Sequence, residues 1–341
     1  MASCQPAPLM EPFHWRQKLS YCDLMPGRQT KSMTFDELIA PLDRERFFSD
    51  HWSKSFLHIR GSKGRFGSYL DWEKLNQVLE WHSPPPLLKL FREGNPIDPH
   101  HFIDNMDKAP EYRQINAGRL IASLTQGCQM VIDGIQKNVP EIRDLSEEFE
   151  HVFQAPNLVN LYAGWGTQNA FHLHWDPQEV FILQLSGRKH WKVYAPTRPF
   201  PLQDDDEKAK PPQGQPAWEG VVEDGDLLYL PRGFWHVVRP IGEPSLHLNI
   251  GLEMATGLDF LRWWLPRLIR RAEVRADMPL LGSPAGQDYT ARLLALMTDD
   301  ARQQDLAGDF LREWNAFRRV RPRLRLPVQP VSTTAFWPRR Y

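Results

Sequence analysis

The chain is expected to fold mainly as antiparallel β-structure, a barrel of short strands with helical regions before and after it. Three observations predict this. Short apolar runs recur at Val180–Leu185, Leu227–Leu230 and His247–Leu252, and the turn signals Ser186-Gly187, Gly225-Asp226 and Pro231-Arg232-Gly233 separate them. Runs of that length bounded by Gly and Pro read as strands. Outside them the apolar spacing becomes helical: Ile142, Leu145, Phe149 and Val152 on one side, Leu258, Leu261, Trp264, Leu265, Leu268 and Ile269 on the other. Finally, 13 Trp and 30 Pro in 341 residues suit a loop-rich, aromatic-lined protein better than a helical bundle.

The elements follow in order. Residues 1–31 are polar, Pro-containing and irregular, and read as an N-terminal arm. Thr34 and Glu37 have the spacing of a capping box that opens a helix, with Leu38, Ile39 and Leu42 on its apolar side. A second short helix is expected from Asp43 to near Trp52, then a strand at Phe56–Arg60 stopped by Gly61. A third helix is predicted over Asp71–Trp81 and ends at Ser83-Pro84-Pro85-Pro86. Leu87–Phe91 and Met130–Ile132 are candidate strands, with a helix before the second. Pro140 suits a first helical position. After the last strand, Thr256 should cap a helix that Pro266 kinks. Further helices are expected at Tyr289–Met297 and Leu306–Phe317. The resulting division is an arm (1–31), an α/β region packing on the barrel (32–124), the barrel (125–253) and a helical C-terminal region with a basic tail (254–341).

Bulk properties narrow the function. Lys plus Arg number 41 and Asp plus Glu 42, a balance that argues against a dedicated nucleic-acid binder. Cys4, Cys22 and Cys128 are too scattered for a disulfide framework or a Cys-based zinc site. The N-terminus lacks the charged-then-apolar order of a signal peptide, and no apolar run approaches the ~20 residues that span a bilayer. A cytoplasmic protein is expected.

The chemistry concentrates between Asn160 and His236. His174-Trp175-Asp176 places an imidazole and a carboxylate two residues apart, on one face if the backbone is an extended strand. A third ligand is offered by His236, aimed by the turn at Pro231-Arg232-Gly233. His174, Asp176 and His236 make a 2-His-1-carboxylate set, which holds one side of Fe(II) and leaves the other open. The sixty residues from Asp176 to His236 leave room for several antiparallel strands.

The His-x-Asp, the Gly187-Arg188-Lys189 turn and the segment Gly225–His236 together resemble the JmjC-type cupin hydroxylases, the Fe(II)/2-oxoglutarate protein oxygenases that include the ribosomal oxygenases. The resemblance covers roughly residues 125–253 and implies a double-stranded β-helix (jelly-roll, cupin) core. It implies that Lys189, fifteen residues after His174, binds the distal carboxylate of 2-oxoglutarate. It also implies that Asn160 and Tyr162, an Asn-x-Tyr ahead of the metal motif, line the co-substrate pocket. Asn249 and His247 on the final strand are candidates to touch the same co-substrate. The implied activity is a dioxygenase using Fe(II), 2-oxoglutarate and O₂ to hydroxylate a protein or peptide side chain. An N-methyl-lysine demethylase with the same iron core, and a metal-binding cupin without oxygenase activity, are the alternatives. The chain departs from the ribosomal-oxygenase pattern in two places. Ala163-Gly164-Trp165-Gly166 replaces a Thr-Pro-Pro-like stretch, and the residues after 253 are few for both a helical dimerisation region and a winged helix.

Neighbouring residues have plainer readings. His172 shares the alternating face of His174 and is read as shaping the pocket. His190 should face away from Lys189, and Trp175 and Trp235 are read as cavity walls. The acidic stretch in Gln203–Gly214 is a solvated loop or a lip that attracts a basic substrate. The basic tail from Arg318 to Arg325 is a solvated end or a contact to RNA or ribosome, so nucleic acid enters only indirectly. Trp264, Leu265, Leu268 and Ile269 are expected either to form a homodimer interface or to pack on the barrel of the same chain.

Overall fold

Burial on both faces of a strand is what the apolar run Val180–Leu185 requires, and the fold supplies it with two sheets and a helical layer. The computed structural model describes residues 32–81, 87–167, 169–203, 210–280, 282–303 and 305–316, and every element below belongs to the unit 33–341. The arm at 1–31, most of the acidic run (204–209) and the basic tail lie outside the described residues.

The N-terminal elements follow the expected order. Helix α1 (Phe35–Ile39) begins at Thr34, whose side chain and that of Glu37 form the predicted capping box. Helix α2 (Arg44–Arg46), capped by Asp43, runs into a π-helical turn, Phe47–His51, and ends at Trp52. Strand β1 (Leu57–Ile59), helix α3 (Trp72–Trp81) and the hairpin β2 (Leu87–Arg92)–β3 (Asn95–Ile97) come next. A two-stranded ribbon of β4 (Ile103–Asp104) and β5 (Gln114–Ile115), helix α4 (Ala117–Thr125), strand β6 (Gln129–Asp133) and helix α5 (Pro140–Phe153) complete this part. On α5, Ile142, Leu145, Phe149 and Val152 are buried, as their spacing predicts.

Strands β7 (Asn157–Gly164), β8 (Glu179–Ser186), β9 (Lys189–Tyr194), β10 (Trp218–Val222), β11 (Leu227–Leu230), β12 (Trp235–Pro240) and β13 (Ser245–Leu252) build the core. The large sheet has the order β1-β11-β8-β13-β7-β6-β2-β3, and the small one β10-β9-β12. Every recorded pairing is antiparallel. The N-terminal strands therefore extend the same sheet as the barrel.

Alternation along each strand assigns the two faces. Phe181, Leu183 and Leu185 of β8 and Leu246, Leu248, Ile250 and Leu252 of β13 point outward into the main core, with Phe35, Leu145 and Phe149 of α1 and α5. Val180 and Ile182 point the other way, into a smaller cluster with Trp191, Val193, Val222, Leu228 and Leu230 between the two sheets. At ~25 cal/mol per Å² of apolar surface, burial on both faces is the dominant stabilising term.

Two turns require glycine. Gly187, with φ +67°, joins β8 to β9, and an added Cβ would lie 2.1 Å from the carbonyl oxygen of Pro244. Gly233, with φ +85°, precedes β12, and a Cβ would lie 2.7 Å from Pro201 Cδ. Only a residue without a side chain fits such positions.

After β13 the chain becomes helical. Thr256 and Asp259 form a capping box at helix α6 (Gly257–Trp264), which Pro266 turns into a 3₁₀ segment, Leu265–Arg270. Helices α7 (Ala272–Arg275), α8 (Pro284–Gln287), α9 (Tyr289–Gln303) and α10 (Leu306–Ala316) follow. The apolar set expected to act together divides. Trp264 and Leu268 are buried with Leu306 and Met297 of the following helices, whereas Leu265 and Ile269 remain exposed. Two indole–carboxylate–guanidinium clamps hold this packing. Glu313 accepts from Trp263 Nε1 (2.7 Å) and both bonds of Arg267 Nη2 (2.9 and 2.8 Å). Asp300 accepts from Trp264 Nε1 (3.3 Å) and Arg271 Nη2 (2.9 Å). A cavity of about 600 Å³ lies among these residues, lined also by Arg270, Asp309 and Arg312. No helix among the described residues is long and apolar enough to cross a membrane.

Candidate active site

The site grows from the inward face of the small sheet. His236 is the second residue of β12 and pairs in register with Val193 of β9, so both point into the barrel. His174 is brought beside it by main-chain bonds in both directions: His236 N–H donates to His174 O (2.7 Å) and His174 N–H to His236 O (3.1 Å). This corrects one expectation. His-x-Asp does not lie in a regular strand but in the connection from β7 to β8, where His174 forms a single bridge along the free edge of β12. That bridge, with Gly233 N–H donating to Asp176 O (3.0 Å), fixes the loop as a strand would have done.

Three side chains converge there. His174 Nε2 lies 4.0 Å from Asp176 Oδ1 and His236 Nε2 lies 3.7 Å from Asp176 Oδ2, and ligand atoms of all three fall within 4.8 Å of one another. Two ~2.1 Å bonds meeting at one divalent ion span up to about 4.2 Å, so the carboxylate distances fit a shared ion. The tautomers suit it as well. His174 Nδ1 is 2.8 Å from His172 O and His236 Nδ1 is 3.2 Å from Phe234 O, so each donates that N–H and turns its Nε2 lone pair to the centre. Burial, aided by neighbouring His174, lowers the His236 pKa to about 4, against the pull of Asp176, so its ring is neutral at pH 7. The ring of His172 is not part of the cluster. It rests on the β2–β3 turn, where a Cβ on Gly94 would lie 2.3 Å from its Nε2.

The barrel floor carries the remaining candidates. Lys189 opens β9, is 2% exposed, and its side chain forms no ion pair or hydrogen bond among the described residues. Burial alone brings its pKa from 10.5 to about 7. His190 is turned outward to Glu219 (3.1 Å). Tyr162 and Asn160 share one face of β7. Burial, then the charges of Asp176 and Asp133, raise the Tyr162 hydroxyl, which bonds to the Asn160 side chain. Asn160 Oδ1 also accepts from Gly134 N–H (3.1 Å), so it braces the wall as well. Asn249 pairs in register with Asn160, on the inward face of β13.

His247, two residues earlier on that face, stacks on Tyr162 at 4.9 Å and 6°. Burial first, and then Lys189, hold its pKa well below 6.5, and its Nδ1 has no partner. Trp191 Nε1 and Gln184 Oε1 are likewise buried without partners. A buried polar group left unpaired costs about 1–3 kcal/mol. The group on the inward faces of β8, β9 and β13 therefore suits a polar ligand. Trp191 also stacks on His236 at 5.9 Å. The sequence contained a signal for it, since Trp191 stands two residues after Lys189 on the same face of a strand. Trp235, read as a cavity wall, faces outward, where its Nε1 donates to Thr197 Oγ1 (3.0 Å), because His236 takes the inward position. Phe171, which no spacing in the sequence marks, packs at 5.8 Å from His174 and 6.1 Å from Tyr162.

Exposure gives the cavity a direction. The His174 and Asp176 side chains are 38% and 27% exposed, while Lys189 and His247 are 2% and 4% exposed. The His174–Asp176–His236 cluster is at the mouth and Lys189 is at the floor.

Comparison with known proteins gives a consistent picture. Residues 135–260 match the JmjC domain family. A Drosophila persimilis protein, "Bifunctional lysine-specific demethylase and histidyl-hydroxylase NO66", is 27% identical over 221 residues, 64% of this chain and 31% of the relative. "Ribosomal oxygenase 1" of Rattus norvegicus is 29% identical over 272 residues, 74% of this chain and 43% of the relative. The chain thus spans less than half the length of these relatives. Among solved structures, the Escherichia coli ribosomal oxygenase YcfD superposes with a TM-score of 0.58 at 16% identity, over 85% of this chain and 75% of that one. The same protein in complex with cobalt and 2-oxoglutarate gives a TM-score of 0.57, also at 16% identity, over 86% of this chain and 76% of that one. The shared fold is the double-stranded β-helix with helices on either side.

Proposed function

From a JmjC domain with this interior, we propose that the chain is an Fe(II)- and 2-oxoglutarate-dependent dioxygenase that hydroxylates a side chain of a protein or peptide. One observation carries the reading: a complete His174–Asp176–His236 cluster and the buried, unpaired Lys189 occupy the same barrel interior. A metal-binding cupin without oxygenase activity would have no use for the second, because an unpaired buried cation is destabilising. The relatives named histidyl-hydroxylase and ribosomal oxygenase support hydroxylation. The first of these names also covers demethylation, which uses the same centre and is the second reading.

The residues divide the work. His174 and His236 would offer their Nε2 atoms and Asp176 a carboxylate to one shared ion, a set that leaves other positions open for small ligands. Carbonyls of His172 and Phe234 hold the imidazoles in that tautomer. Lys189 would hold the far carboxylate of 2-oxoglutarate, with the unpartnered Trp191 Nε1 and His247 Nδ1 beside it. When bound, iron with 2-oxoglutarate and O₂ supplies the oxidant for a C–H bond. The apolar cluster of Val180, Ile182, Val193 and Leu228 keeps water from the floor. The exposed edges of His174 and Asp176 mark the side from which a substrate residue enters.

Incubating the enzyme with iron, 2-oxoglutarate and cell extract, followed by peptide mass spectrometry, tests this. Gain of one oxygen mass on a target peptide is expected, together with succinate release. Loss of one methylene mass instead would favour demethylation, and the absence of both mass changes would refute the oxygenase.

Three further readings belong with this proposal. The catalytic unit is taken as residues 125–253 and the compartment as the cytoplasm, on cysteine usage. The exposed row Leu258, Leu261, Leu265 and Ile269 (37, 41, 50 and 63% exposed) supports a homodimer through the C-terminal helices.

A further inference from the structure

Glu179 is a buried carboxylate outside the metal cluster, and the site described so far does not use it. It opens β8, three residues after Asp176, and is 4% exposed. Ser53 Oγ donates to its Oε1 at 2.6 Å, and the Tyr229 hydroxyl donates to its Oε2. Tyr229 in turn accepts from Ser53 N–H at 2.9 Å. The Arg232 main chain and guanidinium also favour the charged carboxylate, although burial raises its pKa overall.

These partners surround the route to His236. Tyr229 is the third residue of β11, and Leu230 pairs in register with Val180, next to Glu179. The following turn closes with Phe234 N–H on Pro231 O (3.1 Å) and is tied to Asp176 by Gly233 N–H on Asp176 O. Phe234 O then receives the His236 Nδ1–H. One face of the turn is thus attached to the metal loop and the other borders the Glu179 network.

We propose that Glu179 is a positioning residue of the metal centre, its carboxylate fixing the turn that leads to His236 against the strand that follows Asp176. The proposal rests on the metal reading of His174, Asp176 and His236. A merely structural carboxylate would lower stability without changing metal affinity in particular. A positioning carboxylate changes affinity beyond what lost stability explains.

The test uses the full chain and Mn(II) binding, read from the electron paramagnetic resonance signal of free Mn(II). Glu179→Leu is compared with Glu179→Gln and with Leu145→Ala, a destabilised control in α5, where Leu145 is fully buried. Glu179→Leu is expected to weaken Mn(II) binding about tenfold, the low end for partners outside the ligand shell. Glu179→Gln keeps an acceptor oxygen for one of the Ser53 and Tyr229 hydroxyls and offers N–H to the other, so it should recover affinity to within about threefold. Leu145→Ala should bind Mn(II) as the wild type does. If Glu179→Leu does not fold, Ser53→Ala, which removes one donor, should weaken binding by a few-fold. Wild-type Mn(II) affinity in the folded Glu179→Leu or Ser53→Ala variant overturns the proposal, as does an equal loss in Leu145→Ala. A wild-type chain that takes up no Mn(II) would instead sink the metal-centre reading on which it rests.

Discussion

Lys189 offers the sharpest quantitative test, because one side chain carries opposite consequences for stability and for ligand binding. Burial takes its ammonium from 10.5 to about 7. At about 1.4 kcal/mol per factor of ten, keeping the cation in the barrel without an anionic partner is disfavoured by about 5 kcal/mol. Because the folded value is depressed, the penalty is full below about pH 7 and fades as pH rises toward the unfolded 10.5. Lys189→Met, of similar length and uncharged, should therefore stabilise the ligand-free protein by an amount on the order of 2–5 kcal/mol at neutral pH, an advantage that shrinks in alkali. The same change should cripple 2-oxoglutarate binding. Losing one member of a buried charge pair costs about 2–5 kcal/mol, or roughly 30-fold to several thousand-fold in affinity. In the wild type, binding should be strongest at and below pH 7 and weaken above it, since the dicarboxylate selects the protonated lysine. Lys189→Arg should keep partial binding and lose that pH dependence, because guanidinium stays charged. Titrating 2-oxoglutarate into Mn(II)-loaded proteins on either side of pH 7, with thermal melts alongside, reads all of this. Equal dissociation constants for wild type and Lys189→Met would refute the argument and place the far carboxylate elsewhere.

Three other predictions are more direct. His174→Ala, Asp176→Ala and His236→Ala should each abolish metal retention and turnover with the fold intact by circular dichroism; wild-type iron affinity in His236→Ala would disprove the ligand set. Trp191→Phe keeps the ring and removes the unpartnered N–H, so 2-oxoglutarate should bind about tenfold more weakly, one charge-assisted hydrogen bond of ~1.5 kcal/mol, while Mn(II) affinity is unchanged. For the C-terminal helices, light scattering at micromolar concentration should give a dimer that Leu265→Glu with Ile269→Glu dissociates; a monomeric wild type would remove the interface.

What could be read from the sequence depended on whether the signal was local. The capping boxes at Thr34 and Thr256, the proline that turns α6 into a 3₁₀ segment, and the strands β8, β11 and β13 follow from neighbouring residues, and they stand where spacing puts them. The convergence of His174, Asp176 and His236 was legible as well, because a turn and an i, i+2 pair bring them close. Three things were not legible. The His-x-Asp backbone is held by a bond across to His236 rather than by its own propensity, so its loop conformation has no local mark. Trp235 and Trp191 exchange the roles expected of a cavity tryptophan, because the register of β12 on β9 decides which faces inward. Trp264 and Leu268 are covered by helices that follow α6, which its own apolar stripe could not reveal.

The register of the strands also explains why so much polar chemistry is tolerated inside an apolar barrel. On β7 and β13 every outward residue from Val159 to Ala163 and from Leu246 to Leu252 enters the main core, so those strands are anchored without help from their inner faces. The inner positions Tyr162, His247 and Asn249 are thereby released from the demand to be apolar. On the outer face of the small sheet, His190 and Lys192 face Glu219 and solvent. Its hold on the rest of the protein comes through Trp191 and Val193 in the cluster between the sheets, with the β12 histidine beside them. Lys189 at one end of β9 and His236 on β12 are therefore both placed by the small sheet. The bridge to His174 and the Gly233–Asp176 bond tie that sheet to the loop that carries His174 and Asp176, and the Gly187 turn ties it to β8.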